Sequence, residues 1–562
     1  MRDRKEFQEI VRRIDGGDFA EYAQIIGDYD FTRFILKIAD VQTTPDAEQT
    51  LFLVTVPQHV AGFPAELFSS PIRRTALEDL LIRAVATKVE ELADFDECGV
   101  AVKRLHLAMP APQILPRSAL TVTHDALELR IKVSLPASNG CIDGEAVSEI
   151  FFSQLAELID SALIYCNLDA AEIHETVSLM EEADQIRQLL PTQGLVSIIA
   201  DGTCVDSITD DEGEFVFQAD ETVKAHLDIP EYGAVTGVAI PAGITLILGT
   251  DKQGRQELMQ AISDGIYNHV AGDGRDRCVT VPDAVYIASS PGRPVQHVDL
   301  RPFVSGTEAT AYTTEDADEF VSQAASFMEA LTAGARVLLM DEADSAPGFL
   351  AFDSRLAALI PELNKEYIPL AYRAREVVES LGVSLVIGGA YAVADLIPVA
   401  DTVLLISGGM IKNITRQARE TLSGSIKAAP LVDLATIVEK FRWIVPSSID
   451  PSIGIYDART SAMDIDMICF GRYLVDMGDV FQLVDECQTE TIGLIMEYAK
   501  YRYLDQPRPL RELLDLIDRD LSTEGLECLT REQRCDMARP RRYEIAAAFN
   551  RLCTLRVMNS PE

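Results

Sequence analysis

The chain has 562 residues, with 89 acidic and 49 basic side chains and a formal net charge of −40. A length of this order favours several domains, and 48% hydrophobic residues supply packed cores, which excludes a disordered acidic polymer. The acidic balance also argues against a surface coated for duplex DNA or an anionic membrane, because phosphate binding draws on clustered Lys and Arg.

The first residues, MRDRKEFQEIVRRID, carry charges of both signs where a secretory signal needs its apolar stretch, so a cytoplasmic protein is expected. Over residues 77–92 the apolar positions Leu77, Leu80, Leu81, Ala84, Val85, Val89 and Leu92 recur at three- and four-residue steps, which predicts an amphipathic helix. Residues 119–135 alternate apolar and polar side chains around His124-Asp125, which predicts a hairpin. A helical connector over residues 149–190 follows. These features define an α+β N-terminal domain over residues 1–163.

From Gly194 the sequence turns to short β-branched runs punctuated by glycine: LVSIIADG, AVTGVAIPAGITLILG, ARVLLMDE, GVSLVIGG and DTVLLISGG. Buried apolar strands alternating with helices predict a mostly parallel sheet with flanking helices, an α/β domain placed at 164–440. The longest apolar stretch, residues 384–406, is broken by Asp395, Pro398 and Asp401, too soon for the roughly 20 residues of a membrane span. Residues 441–562 turn helix-rich and end on a basic segment, giving a mainly helical C-terminal domain. The ten cysteines form no CxxC pair and, with the seven histidines, no cluster at zinc spacing, so they are expected to be reduced thiols.

Two segments of the central domain could carry chemistry. In Gly249-Thr250-Asp251-Lys252-Gln253-Gly254-Arg255-Gln256 an apolar strand runs into a glycine-bounded loop and then a helical run. That arrangement turns successive backbone N–H groups and a helix N-terminus towards phosphates. The G-x-x-x-x-G frame is present, but the Lys that reaches the β/γ-phosphates and the Ser/Thr that binds Mg²⁺ are replaced by Arg255 and Gln256. The candidate nucleotide-binding residues are therefore Gly249, Thr250, Lys252, Gly254, Arg255 and Gln256. Downstream, the apolar run Val-Leu-Leu-Met ends in Asp341-Glu342. A strand-terminal Asp orients Mg²⁺ in P-loop ATPases, which makes Asp341 the candidate metal ligand. Glu342 beside it is the candidate general base.

These segments, with EYAQIIGDYDF at residues 21–31, LPRSALTVTHDALELRIKVSLPA at 115–137, GLVSIIADG at 194–202, VTVPDAVYI at 279–287, TEDA at 314–317, SQAA at 322–325 and ARPRRYEIAAAFNRL at 538–552, resemble the family of predicted ATPases of the ABC class nearly end to end. The resemblance implies an ABC-type P-loop core flanked by N- and C-terminal domains, with ATP and Mg²⁺ as cofactors and a possible homodimer formed through the nucleotide domain. It also locates departures. The family's Gly-Lys-Ser has become Gly254-Arg255-Gln256, and its Ser-Gly-rich signature has become Asp318-Glu319-Phe320-Val321. The polar residues after the acidic pair now read Ala343-Asp344-Ser345-Ala346-Pro347-Gly348, and the Gly-rich stretch after the next strand reads Gly388-Gly389-Ala390-Tyr391-Ala392-Val393.

Two functions of different class follow. One is an ATPase-like protein that binds ATP·Mg²⁺ at the loop with weak or lost hydrolysis. The alternative is a nucleotide-independent scaffold or regulatory pseudo-ATPase. Arg336, Arg373, Arg375 and the cluster Arg539, Arg541, Arg542, Arg551 and Arg556 raise single-stranded RNA as a further partner, against the simpler expectation that these cations pair with the chain's carboxylates.

Overall fold

In the computed structural model the described residues are all of the chain except 43, 45–48, 96–100, 139, 206–214, 250–251, 353–365, 423–428, 430–431, 455–457, 559 and 561–562. They form two compact units: Met1–Glu181 with Leu526–Arg539, and Glu182–Gly525 with Pro540–Glu562.

The first unit is built on a seven-stranded sheet in which Thr50–Pro57 and Ala126–Val133 pair antiparallel along their whole length. Thr50–Pro57 alternates buried and half-buried residues, placing Phe52, Val54 and Val56 in the core, as a two-residue period requires. The expected hairpin joins Leu120–Val122 to Ala126–Val133, and the Thr123 hydroxyl fastens its turn by donating to the Ala126 carbonyl at 2.8 Å. The expected helix spans Pro71–Glu91. Ser70 caps it by accepting from the Arg73 N–H, Pro71 opens it, and Leu77, Leu81, Val85 and Val89 are buried at helical spacing.

The helix Ala170–Leu189 carries the chain into the second unit, whose elements are labelled from here on. A four-stranded antiparallel sheet is made of β1 (Leu195–Ala200), β2 (Lys224–Ile229), β3 (Gly233–Pro241) and β5 (Cys278–Thr280), in the order β2-β3-β1-β5. The second sheet contains β4 (Ile244–Gly249), β6 (Ala284–Tyr286), β7 (Val337–Asp341), β8 (Ser384–Gly389), β9 (Thr402–Ser407) and β10 (Met410–Asn413). Its order from one edge is β6-β7-β8-β4-β9-β10, with Gln218–Ala219 beyond β10. Strands β6, β7, β8, β4 and β9 are parallel neighbours, while β10 runs antiparallel to β9. Every residue of β7 and β8 is buried, the pattern of parallel strands covered on both faces, and it explains why they read as unbroken apolar runs.

Helix α1 (Lys252–Asp264) follows β4, α2 (Glu319–Ala333) precedes β7, and α3 (Ala374–Leu381) precedes β8. Towards the C-terminus an antiparallel meander, Thr460–Asp464, Met467–Phe470 and Tyr473–Asp476, is followed by α4 (Glu486–Arg502), α5 (Leu510–Thr523) and α6 (Arg542–Arg551). Among the described residues no helix is long and apolar enough to cross a membrane.

Candidate functional site

In an open parallel sheet, ligands meet the carboxyl ends of the strands. Here those ends are Gly249 of β4, Asp341 of β7 and Gly388-Gly389 of β8, with β8 lying between the other two. The register pairs Asp341 with Gly388, and Leu248 with Gly389. Both glycines are required by close approach: a Cβ on Gly388 would lie 2.3 Å from Asp341 Oδ2, and one on Gly389 would lie 2.9 Å from Glu342 Oε2. The strand between the loop and the acids is stripped of side chains where the acidic pair crosses it.

The residues proposed from sequence to meet nucleotide and metal meet each other. Arg255, in the first turn of α1, sends its guanidinium onto the Asp341 carboxylate. Nε donates to Oδ2 at 2.9 Å and Nη2 to Oδ1 at 3.0 Å, a bidentate pair in which the side chains are 4% and 1% exposed. The planar fork of Arg matches a carboxylate in a way the Lys of an ordinary phosphate loop cannot. Asp341 Oδ1 also accepts the Ala343 N–H at 2.8 Å, so both oxygens are engaged.

Glu342 is held just as fully. Its Oε2 accepts the N–H groups of Ala390 (2.6 Å) and Tyr391 (2.9 Å), and its Oε1 accepts that of Ala392 (3.0 Å). Burial alone would raise its pKa, but these three N–H donors, with Arg255 nearby, hold it below the usual carboxylate range. A carboxylate stabilised in its charged form is a weaker base, and this one's oxygens already serve as the cap of the segment after β8.

The signature segment is closed by a similar device. Asp318 is the N-cap of α2: its Oδ1 accepts the Val321 N–H at 2.8 Å and its Oδ2 accepts the Tyr367 hydroxyl at 2.6 Å. Tyr367 lies stacked on Phe320, ring centroids 4.3 Å apart. The carboxylate therefore occupies the place where a helix N-terminus would offer its N–H groups to an anion. Behind it, Gln323 donates to Ser345 Oγ at 3.0 Å and accepts the Ala346 N–H at 2.7 Å, so SQAA is used to hold the turn after the acidic pair.

Of the remaining candidates, Gly249 ends β4, Gly254 is buried in α1 and Gln256 is half-buried one residue beyond Arg255. Thr250, Asp251 and the side chain of Lys252 lie outside the described residues. The residues described do not fit a Mg²⁺ ion. The oxygens of Asp341 are taken by a guanidinium, and position 256 presents an amide in place of the hydroxyl that Mg²⁺ coordination uses. Among the described residues no group of three or more His, Cys, Asp or Glu side chains is placed to hold a metal.

Of the arginines considered for RNA, Arg336 and Arg556 are exposed and Arg539 is half-buried. Arg373 is buried and pairs with Glu376, Arg375 pairs with Asp401, Arg541 with Glu544, Arg542 with Asp515 and Asp518, and Arg551 is buried.

The sheet order, the strand β4 followed by the helix α1, and the acidic pair at the end of β7, two places away in the sheet, define a P-loop domain of the nucleotide-binding class. Comparison with protein families narrows this. Residues 169–432 match the P-loop domain of the ABC ATPase family, residues 4–166 match the N-terminal domain of ATPases of the ABC class, and residues 459–558 match the MRB1590 C-terminal domain. The chain belongs to the ABC-class ATPase family. No curated protein matches it.

Two features were missed by sequence reasoning: the Arg255–Asp341 pair and the capping of Glu342 by residues 390–392. The first had a signal. A cation replacing the loop lysine and an acid ending a nearby strand are complementary, and Arg is the residue that pairs with a buried carboxylate by two hydrogen bonds.

Proposed function

We propose that this chain is a non-hydrolysing member of its family, a scaffold or regulator in which the metal-binding step has been replaced by an internal ion pair. One observation carries the reading: the buried bidentate pair of Arg255 with Asp341. For Mg·ATP to bind as it does in P-loop ATPases, the metal would have to displace Arg255, and Gln256 would supply it no hydroxyl. Separating a buried pair costs about 3–5 kcal/mol unless a ligand replaces both halves. The anchoring of Glu342 by three N–H groups and of the α2 N-terminus by Asp318 points the same way. Among the described residues, Arg255, Asp341, Glu342 and Asp318 are each engaged within the fold.

The test is phosphate release at millimolar Mg·ATP. The wild-type chain is expected to match a protein-free blank, and the double variant Arg255→Lys with Gln256→Ser is expected to gain Mg·ATP binding. Turnover by the wild type that depends on Mg²⁺ and disappears in Glu342→Gln would overturn the proposal.

A further inference from the structure

The edge of a β-sheet presents backbone N–H and C=O groups that something has to satisfy. The two large sheets of the second unit end in four edges, and three of them are closed by identifiable groups. At β6 the Tyr286 N–H donates to Gln482 Oε1 at 3.0 Å, and the Ala284 carbonyl accepts from Arg541 at 2.8 Å. At Gln218–Ala219, beyond β10, the Ala219 N–H donates to Asp201 Oδ1 at 2.7 Å. At β5 the N–H groups of Cys278 and Thr280 donate to the carbonyls of Arg275 and Gly265, at 2.9 and 2.8 Å.

The fourth edge is β2, which ends the order β2-β3-β1-β5. In its register with β3, His226 lies opposite Thr236, whose carbonyl turns away to accept the Asp201 N–H at 2.9 Å. An antiparallel ladder alternates hydrogen-bonded with non-hydrogen-bonded pairs, so His226 and Asp228 aim their N–H and C=O groups outward. The Lys224 N–H is taken by the Asp220 carbonyl at 3.0 Å, but among the described residues the backbone groups of His226 and Asp228 meet no partner.

The side chains follow the same alternation. Leu227 and Ile229 are buried, whereas Lys224, His226 and Asp228 share the other face, with His226 and Asp228 exposed. A lone charge on an edge keeps foreign strands away, but the spacing Lys-x-His-x-Asp is its own complement. Turned antiparallel about His226, a second copy sets its Asp228 opposite Lys224 and its Lys224 opposite Asp228. Rotation about Lys224 or Asp228 would bring like charges together, and rotation about Leu227 would oppose Lys224 to Pro230, which has no N–H to give. Lys224 stands 3.5 Å from Asp201 and 3.9 Å from Glu221, and Asp228 forms no ion pair among the described residues.

We propose that two copies of this chain associate through β2, paired antiparallel about a two-fold axis at His226, so that their antiparallel sheets join into one. Each His226 then exchanges N–H and C=O bonds with its counterpart, and each Asp228 N–H meets the Lys224 carbonyl of the other copy. The edge belongs to the antiparallel sheet and not to the parallel one whose strand ends carry Arg255, Asp341 and Glu342, so the proposal does not depend on the state of the nucleotide site. The strand is short, and the exposed Glu221 and Glu231 beyond its two ends add like charge, so the dimer is reversible and weak.

The experiment is sedimentation velocity of the full chain from about 1 to 300 μM, the range in which small, transient contacts register. The wild type is expected to pass reversibly from monomer to dimer. His226→Pro removes an outward N–H and leaves the ladder to β3 intact, as edge strands allow, and is expected to abolish the dimer. Lys224→Asp and Asp228→Lys, which set like charges opposite each other twice, are each expected to weaken association about tenfold. The double variant, with the charges exchanged, is expected to restore it. A wild type that stays monomeric throughout, a dimer unchanged by His226→Pro, or a double variant that associates no better than either single one would overturn the proposal. Dimers built on the strand-end face would give the second of these results. Unfolding followed by Trp443 fluorescence shows which variants fold, and those that do decide the matter.

Discussion

The second unit holds two clusters of buried charge that have settled in opposite ways. At the ends of β4, β7 and β8, Arg255, Asp341 and Glu342 are saturated by one another and by backbone N–H groups. At the end of α6, Arg551, Asn550 and Glu329 retain buried atoms with no partner. The cluster at the strand ends is closed on itself, and the cluster at the end of α6 is not. The contrast teaches that a strand order and a glycine frame can persist while the side chains at the strand ends satisfy one another, and that buried polar atoms without a partner can gather where the sequence carries no motif.

Substitutions at the closed cluster break this comparison if they prove harmless. The largest effect is expected from Arg255→Ala, which leaves Asp341 buried without a countercharge and should cost about 3–5 kcal/mol. The single tryptophan, Trp443, lies in the second unit, so urea unfolding followed by its fluorescence reports on the unit that contains the pair. An unchanged midpoint would show that the pair is not structural.

Glu342→Gln keeps the shape but replaces one accepting oxygen with a donor facing a backbone N–H. A loss of about 1–3 kcal/mol is expected by the same measurement at pH 7. Because the folded pKa of Glu342 lies below its unfolded value of about 4.3, its stabilisation is fully present above that value. It is lost as pH falls through the folded value. The gap between wild type and Glu342→Gln should therefore close in acid, below about pH 4. A gap that widens there would contradict the hydrogen-bonding described.

Asp318→Ala removes the cap of α2 and the partner of the Tyr367 hydroxyl, with an expected cost of about 1 kcal/mol. Asp318→Asn, which can still cap, should recover most of it. If Asp318→Ala instead strengthens binding of Mg·ATP with no loss of stability, the carboxylate was obstructing a working site and the closed cluster has been misread.

Much of the fold was legible in the sequence because periodicity carries it. The helix of residues 71–91, the hairpin around Thr123 and the all-buried strands β7 and β8 follow directly from spacing and apolar runs. The glycine frame around the phosphate loop and the terminal Asp341-Glu342 were equally visible. Their pairing was not, because Arg255 and Asp341 are 86 positions apart and meet only through the order β4-β8-β7 and the bare backbone at Gly388. The cap on α2 was half legible: an Asp three residues before a bonded N–H is an N-cap pattern, but the hydroxyl of Tyr367 comes from a distant loop. Arg551 was hidden for another reason. Arginines in an acidic chain are expected at the surface beside carboxylates, and nothing local to ARPRRYEIAAAFNRL distinguishes the one that is buried.

The most direct measurement is calorimetric titration of the wild-type chain with Mg·ATP beside the double variant Arg255→Lys with Gln256→Ser. An internal ion pair in place of the metal predicts no binding heat for the wild type at millimolar nucleotide, and Mg²⁺-dependent heat for the double variant. Mg²⁺-dependent binding by the wild type equal to or stronger than that of the double variant would contradict it.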